Sequence, residues 1–314
     1  MPGSQKTGKE NVSNPSNGNN SLPHNRLIKS TLSKDSFTLG FSEYSQKLTP
    51  IQAVNKCLKS GLTALQLVGD FHVNFPENIS KIEREKVKNL IYDNGFHLHY
   101  HAPSDIPLAS RHNILREGGL LRMREYIELA AQMGAKSFVF HPGRFAFYKI
   151  GSGKMVLAKR DIPEIYLKRF YDSAARLVEY SAGRLNILLE NTFSFTSQLI
   201  DIITRFLNLP STGLVWDIGH EHLDRKTHHR NYPSKVQPSE FFLERLNKVK
   251  LAHLHDALKN RSHLPLGSGE IDIAAYIDIF TRSNIDMIIE VFNENDLKAS
   301  IEYVDSITMR NKRR

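Results

Sequence analysis

Between Phe37 and Phe292 the chain repeats one pattern eight times: a short run rich in β-branched and aromatic residues, then a longer run of helical period. The strand-like runs cover 37–43, 63–70, 96–103, 136–143, 185–192, 212–220, 249–257 and 286–292. Helix punctuation falls between them. Thr49-Pro50 reads as a cap followed by a first-turn proline, and Gly61, Gly95, Gly134 and Gly183 stand where helices end. A last helical run, 296–308, completes the series. Parallel strands need crossover connections, so this alternation predicts a parallel sheet flanked by helices. Eight units in about 270 residues match an α/β fold of the (β/α)8 TIM-barrel kind. An open doubly wound sheet is the alternative. It would call for a glycine-rich first turn, but SEYSQKLTP follows the first strand and no GxxxxGK[ST] occurs in the chain.

The ends have a different composition. Residues 1–35 are rich in Asn, Ser, Gly, Pro and Lys, and are expected to form a disordered polar tail without the apolar segment of a signal peptide. The barrel domain is expected over 36–309, with a basic tail at 310–314. The net charge of +9 is concentrated in these ends: 1–35 carry five Lys and Arg against two acids, and 310–314 carry four more bases. The basic balance therefore says little about what a central site binds, though it suits loose tethering to a polyanion. No run of 18 uncharged apolar residues exists, so no membrane span or membrane partner is expected. A single cysteine, Cys57, excludes a disulfide framework or a cysteine zinc cage and points to a reducing cytoplasm. Cys57 itself reads as an inert packing residue of the first helix.

Metal-ligand residue types recur where the strands end. They are His101, His141, Glu190, Asp217 with His220, His253 with His255, and Glu290, with His263 in the loop after the seventh strand. In a parallel barrel all these ends meet on one rim. Glu190, Asp217 and Glu290 brought together would repel one another, and a divalent cation resolves that repulsion while neutral imidazoles complete its shell. The mixed set suits Zn2+, Mn2+ or Co2+ better than Ca2+. His97 and His99 share a face with His101 and are assigned to packing or the barrel interior. His228 and His229 are expected to be solvated. His72, His112 and His222 stay undecided between rim and surface. The long connections 144–161 and 221–236 are expected over the catalytic face.

The motifs HAP, HPG, ENT, DIGH, HLHD, LGSGEID and the eighth-strand glutamate resemble the xylose isomerase-like TIM-barrel superfamily, over about residues 37–308. That superfamily holds sugar isomerases and epimerases and also the endonuclease IV repair enzymes. The resemblance implies that Glu190, Asp217, His253 and Glu290 form a four-ligand metal site, with the two glutamates as the proton-transfer pair. It implies that His101 and His141 bind a second metal, and that His220 and His263 match two ligands of a third, giving one to three metals per chain. Where that third metal has an aspartate ligand, this chain has Arg261, which is read with His255 as substrate-binding. Ser104-Asp105 stands where endonuclease IV carries a DNA-wedging Tyr-Leu, and Gly219 where it usually has Cys. The first reading is accordingly a metal-dependent isomerase or epimerase of a small sugar or sugar-phosphate-like substrate, working through an enediolate. The alternative is metal-dependent phosphodiester hydrolysis at abasic DNA, and a non-enzymatic sugar or metal binder is the third reading.

Overall fold

The computed structural model describes residues 37–142, 147–150, 153–156, 164–192, 197–223 and 238–312. The expected polar tail, His228, His229 and most of the two long connections lie outside the described residues. In chain order the described strands are β1 (Leu39–Glu43), β2 (Ala64–Val68), β3 (His97–His101), β4 (Ser137–Phe140), β5 (Phe147–Ile150), β6 (Gly153–Val156), β7 (Asn186–Glu190), β8 (Thr212–Asp217), β9 (Val249–Leu254), β10 (Asp256–Leu258), β11 (Arg261–Leu264) and β12 (Asp286–Ile289). The principal helices are α1 (Pro50–Lys59), α2 (Lys81–Asp93), α3 (Asn113–Gln132), α4 (Glu164–Ser181), α5 (Ser197–Leu207), α6 (Pro238–Glu244), α7 (Ile273–Arg282) and α8 (Glu294–Lys312). Eight parallel strands close into a barrel in the order β1-β12-β9-β8-β7-β4-β3-β2. The fold is the TIM barrel that the alternation predicts. The four helix-ending glycines take left-handed φ between 58° and 77°.

Each barrel strand is shorter than the run read from the sequence, and the larger differences lie in the last helix, the seventh strand and the insertion after β4. Helix α8 runs on to Lys312, into the stretch assigned to a basic tail. The seventh barrel strand stops at Leu254 instead of 257, because Asp256 begins an antiparallel hairpin, β10–β11. The Asp256 carboxylate accepts the backbone N–H groups of Gly267 (3.1 Å), Gly269 (2.8 Å) and Ile271 (3.1 Å), which folds the following loop around it. Within the long insertion after β4, β5 and β6 pair as a second hairpin.

Two apolar layers hold the barrel. The larger lies between strands and helices and includes Phe41, Tyr100, Phe138, Phe140 and Trp216. Trp216, the chain's sole tryptophan, is 1% exposed; it stacks on Phe242 at 4.8 Å and meets Tyr276 and Phe280 edge-on. The smaller layer fills the barrel interior with Ala64, Val139, Leu188, Val215, Leu251 and Ile288. Side chains alternate along a strand, so positions two residues further on face the same interior, nearer the C-terminal rim. Those positions are Gln66, His141, Glu190, Asp217, His253 and Glu290. A hydrophobic plug thus carries a polar layer on top of it.

At the opposite end, Asp286 opens β12 with only 3% of its surface exposed. Its Oδ2 lies 2.7 Å from Lys136 Nζ, 2.9 Å from His97 Nδ1 and 3.2 Å from His99 Nε2. His97 and His99 therefore bind an acid at the foot of the barrel, where the sequence placed them in packing or the interior. Cys57 is buried in α1 with its thiol against the Ala64 carbonyl, as a packing residue should be. Among the described residues no helix is long and apolar enough to cross a membrane.

Candidate metal centre

The polar layer converges on a centre built from four strands. Glu190 ends β7, Asp217 ends β8, His253 lies near the end of β9, and Glu290 follows β12; all four are buried. Their ligand atoms fall within 4.8 Å of one another. Asn191 fixes the β7–β8 junction by accepting the Asp217 N–H at 2.7 Å and donating to the Asp217 carbonyl at 2.9 Å.

Hydrogen bonding sets the His253 tautomer. Gln66 Nε2 donates to Glu290 Oε1 and to Ser42 Oγ, each at 2.8 Å, so Gln66 Oε1 accepts from His253 Nε2–H at 3.0 Å. His253 Nδ1 then points at acceptors only: Glu190 Oε2 at 3.3 Å, Glu290 Oε1 at 3.5 Å and Asp217 Oδ2 at 3.9 Å. It is buried and has no hydrogen-bond partner. A bare nitrogen facing three carboxylates in a dry interior fits a site made for a cation. In the metal-free protein a proton takes that place. Burial opposes it, but the Glu290 and Glu190 charges push His253 up to about 9. Burial would also raise Glu190 and Asp217, yet the surrounding imidazoles hold both well below the usual carboxylate range.

A cation must displace the proton on His253, so affinity rises with pH until about 9. We predict that Zn2+ binding at pH 7 releases protons and tightens between pH 7 and 9, as calorimetry in two buffers of different ionisation enthalpy would show. A pH-independent affinity across that range would contradict the arrangement.

Two further clusters adjoin the centre. His101 Nε2 lies 3.1 Å from Glu190 Oε2 and 3.1 Å from His141 Nε2, and His141 Nε2 is 3.2 Å from the same Glu190 oxygen. Glu190 therefore belongs to two ligand sets. His220, His255 and His263 form the third group, stacked beside Asp217. A cavity of about 510 Å³ opens above them, lined by the site residues His101, His141, Glu190, His220, His263 and Glu290 together with Tyr44, Asp70, Ser104 and Phe292.

A profile of the family described as xylose isomerase-like TIM barrel matches residues 54–307. The chain belongs to that family. Among solved structures it is similar to a D-tagatose 3-epimerase-like protein, at 19% identity and a TM-score of 0.65 over 88% of this chain and 99% of the other. It is similar to 3-keto-D-glucoside 4-epimerase from E. coli at 14% identity and a TM-score of 0.63, covering 87% and 99%. An L-ribulose 3-epimerase gives 13% identity and a TM-score of 0.65, covering 88% and 96%. At these identities the likeness shows the shared fold. No curated protein sequence matches.

On this xylose isomerase-like barrel, all eight expected metal-ligand residues gather at one rim. The two residues read as substrate-binding do not line the cavity. His255 is fully buried, with Nε2 on Asp217 at 3.0 Å and Nδ1 accepting the His263 N–H at 3.0 Å. Arg261 is exposed and begins β11 of the hairpin. Of the undecided histidines, His72 and His112 are exposed, while His222 is buried and lies 3.4 Å from Glu270. Sequence reading missed Gln66 and Ser42, which bind Glu290, and the cavity residues Tyr44, Asp70 and Phe292. Gln66 alone left a usable trace, as a polar residue inside the apolar strand ALQLV.

Proposed function

We propose that the protein is a divalent-metal-dependent isomerase or epimerase of a small sugar, moving a proton beside a carbonyl through an enediolate. The observation that carries this reading is the bare His253 nitrogen facing Glu190, Asp217 and Glu290 beneath a cavity of sugar size. The epimerase fold neighbours agree with it.

Zn2+, Mn2+ or Co2+ held by Glu190, Asp217, His253 and Glu290 would polarise a substrate carbonyl and its neighbouring hydroxyl. The chain's own groups handle the proton. Glu190 and Glu290 both reach the cavity wall, so one can take a proton from carbon and the other return it. Ser42 and Gln66 both donate to Glu290 Oε1, which leaves Oε2 for the proton. Among the described residues lining the cavity there is no lysine or arginine, which favours a neutral sugar over a phosphorylated one.

The alternative, hydrolysis of abasic DNA, draws on one observation: the second ligand set His101–His141–Glu190 would support a metal pair. Asp70 weighs against it. This acid stands on the cavity wall, held by Ser104 N–H (3.0 Å) and Oγ–H (2.8 Å), where a phosphate backbone would be repelled.

Incubation with ketoses in D2O decides between them. Metal-dependent deuterium incorporation at the carbon beside the carbonyl is expected, abolished by chelation. Cleavage of an abasic duplex without sugar exchange would overturn the isomerase reading.

A further inference from the structure

His220, His255 and His263 lie close enough to hold a third cation, but the hydrogen bonds of His255 take it out of that ligand set. A backbone N–H can only donate, so His255 Nδ1, which receives His263 N–H at 3.0 Å, is unprotonated. The proton of the neutral ring therefore sits on Nε2 and is donated to the Asp217 carboxylate, whose oxygens lie 3.0 and 3.1 Å away. Both nitrogens of His255 are committed. His263 keeps its Nε2 free, since its Nδ1 donates to the Glu290 carbonyl at 3.1 Å.

The ring of His255 also has a built seat. A Cβ placed on Gly219 would fall 1.9 Å from His255 Cε1 and 2.2 Å from its Nδ1. The imidazole thus fills the space that any side chain at 219 would need, in the first turn of the helix over 218–223 that follows Asp217. The same turn grips Asp217 from the other side, through His220 N–H to Oδ1 at 2.6 Å.

We propose that His255 is a positioning residue that holds Asp217 in its ligand orientation and is not itself a metal ligand, and that Gly219 exists to seat it. The proposal rests on Asp217 being a ligand of the centre described above. A ligand's outer partners commonly set metal affinity by about 10–100-fold.

Zn2+ is the probe, measured by competition with a chromophoric chelator on the full chain, with far-UV circular dichroism as the fold control. His255→Ala and Gly219→Ala are each expected to weaken Zn2+ binding by about 10–100-fold. His255→Gln, which restores an N–H donor toward Asp217, should recover much of the loss even if His255→Ala folds poorly. In the His255→Ala background, Gly219→Ala should cost no further affinity, because the ring it would displace is gone. Losses that multiply in the double variant would overturn the pairing, and so would a third Zn2+ equivalent that disappears in His255→Ala. Asp217→Asn separates the two layers of inference. If it leaves Zn2+ affinity unchanged, the reading of the centre fails; if it weakens binding while His255→Ala does not, the positioning role fails.

Discussion

Glu190→Gln should lower turnover by about three orders of magnitude, within the range general-base groups contribute, while leaving a folded barrel. Glu190 is the carboxylate on which the site depends most. Its Oε2 meets His101, His141 and His253 at 3.1, 3.2 and 3.3 Å, and its Oε1 lies 3.4 Å from His220. The amide has nearly the same shape, so packing in β7 is preserved. It removes together the charge shared by two candidate ligand sets and the carboxylate proposed as a base on the cavity wall. Steady-state rates at saturating metal, with circular dichroism as control, test this. Wild-type turnover in Glu190→Gln would remove Glu190 from the proton-transfer pair.

The second large effect lies at the other end of the barrel and concerns stability. Burial would push the Asp286 carboxyl up, but hydrogen bonds from His97 and His99 and the Lys136 ammonium hold it far below the usual range. Asp286→Asn keeps one amide oxygen as acceptor but removes the charge that faces the Lys136 ammonium and both imidazoles. Removing one partner of a buried pair costs about 3–5 kcal/mol, and the lower end applies because Lys136 and His97 are partly exposed and screened. A carboxyl depressed in the folded state stabilises the protein fully above its unfolded value near 3.9, and that contribution is lost as pH falls below it. The gap between wild type and Asp286→Asn should therefore be about 3 kcal/mol at pH 7 and smaller at pH 3.5, read from urea unfolding. A gap that does not change with pH would show that the ionised carboxylate is not the stabilising group.

The eight strands were legible because each is a compact β-branched run bounded by turn residues, and the gathering of acids and imidazoles because a parallel barrel brings all its strand ends to one rim. The period-two relation made the rest of the rim readable in principle: Leu188 to Glu190, Val215 to Asp217 and Ile288 to Glu290 are the same face one step apart. Gln66 and Ser42 escaped because a neutral polar residue inside a strand gives no sign of its partner, and Glu290 is more than 200 residues from both. The surroundings of His255, which does not line the cavity, escaped for a related reason. Its environment depends on an absent side chain at Gly219 and on a backbone N–H of the hairpin, and neither is visible from strand position.

The aromatic setting of Trp216 has a practical consequence. The chain contains one indole, enclosed by Phe242, Tyr276 and Phe280 and joined by a single peptide bond to Asp217. Its emission is therefore a native optical reporter at the foot of the ligand cluster. A blue-shifted band should mark the closed barrel, and its intensity should follow cation loading without any attached dye.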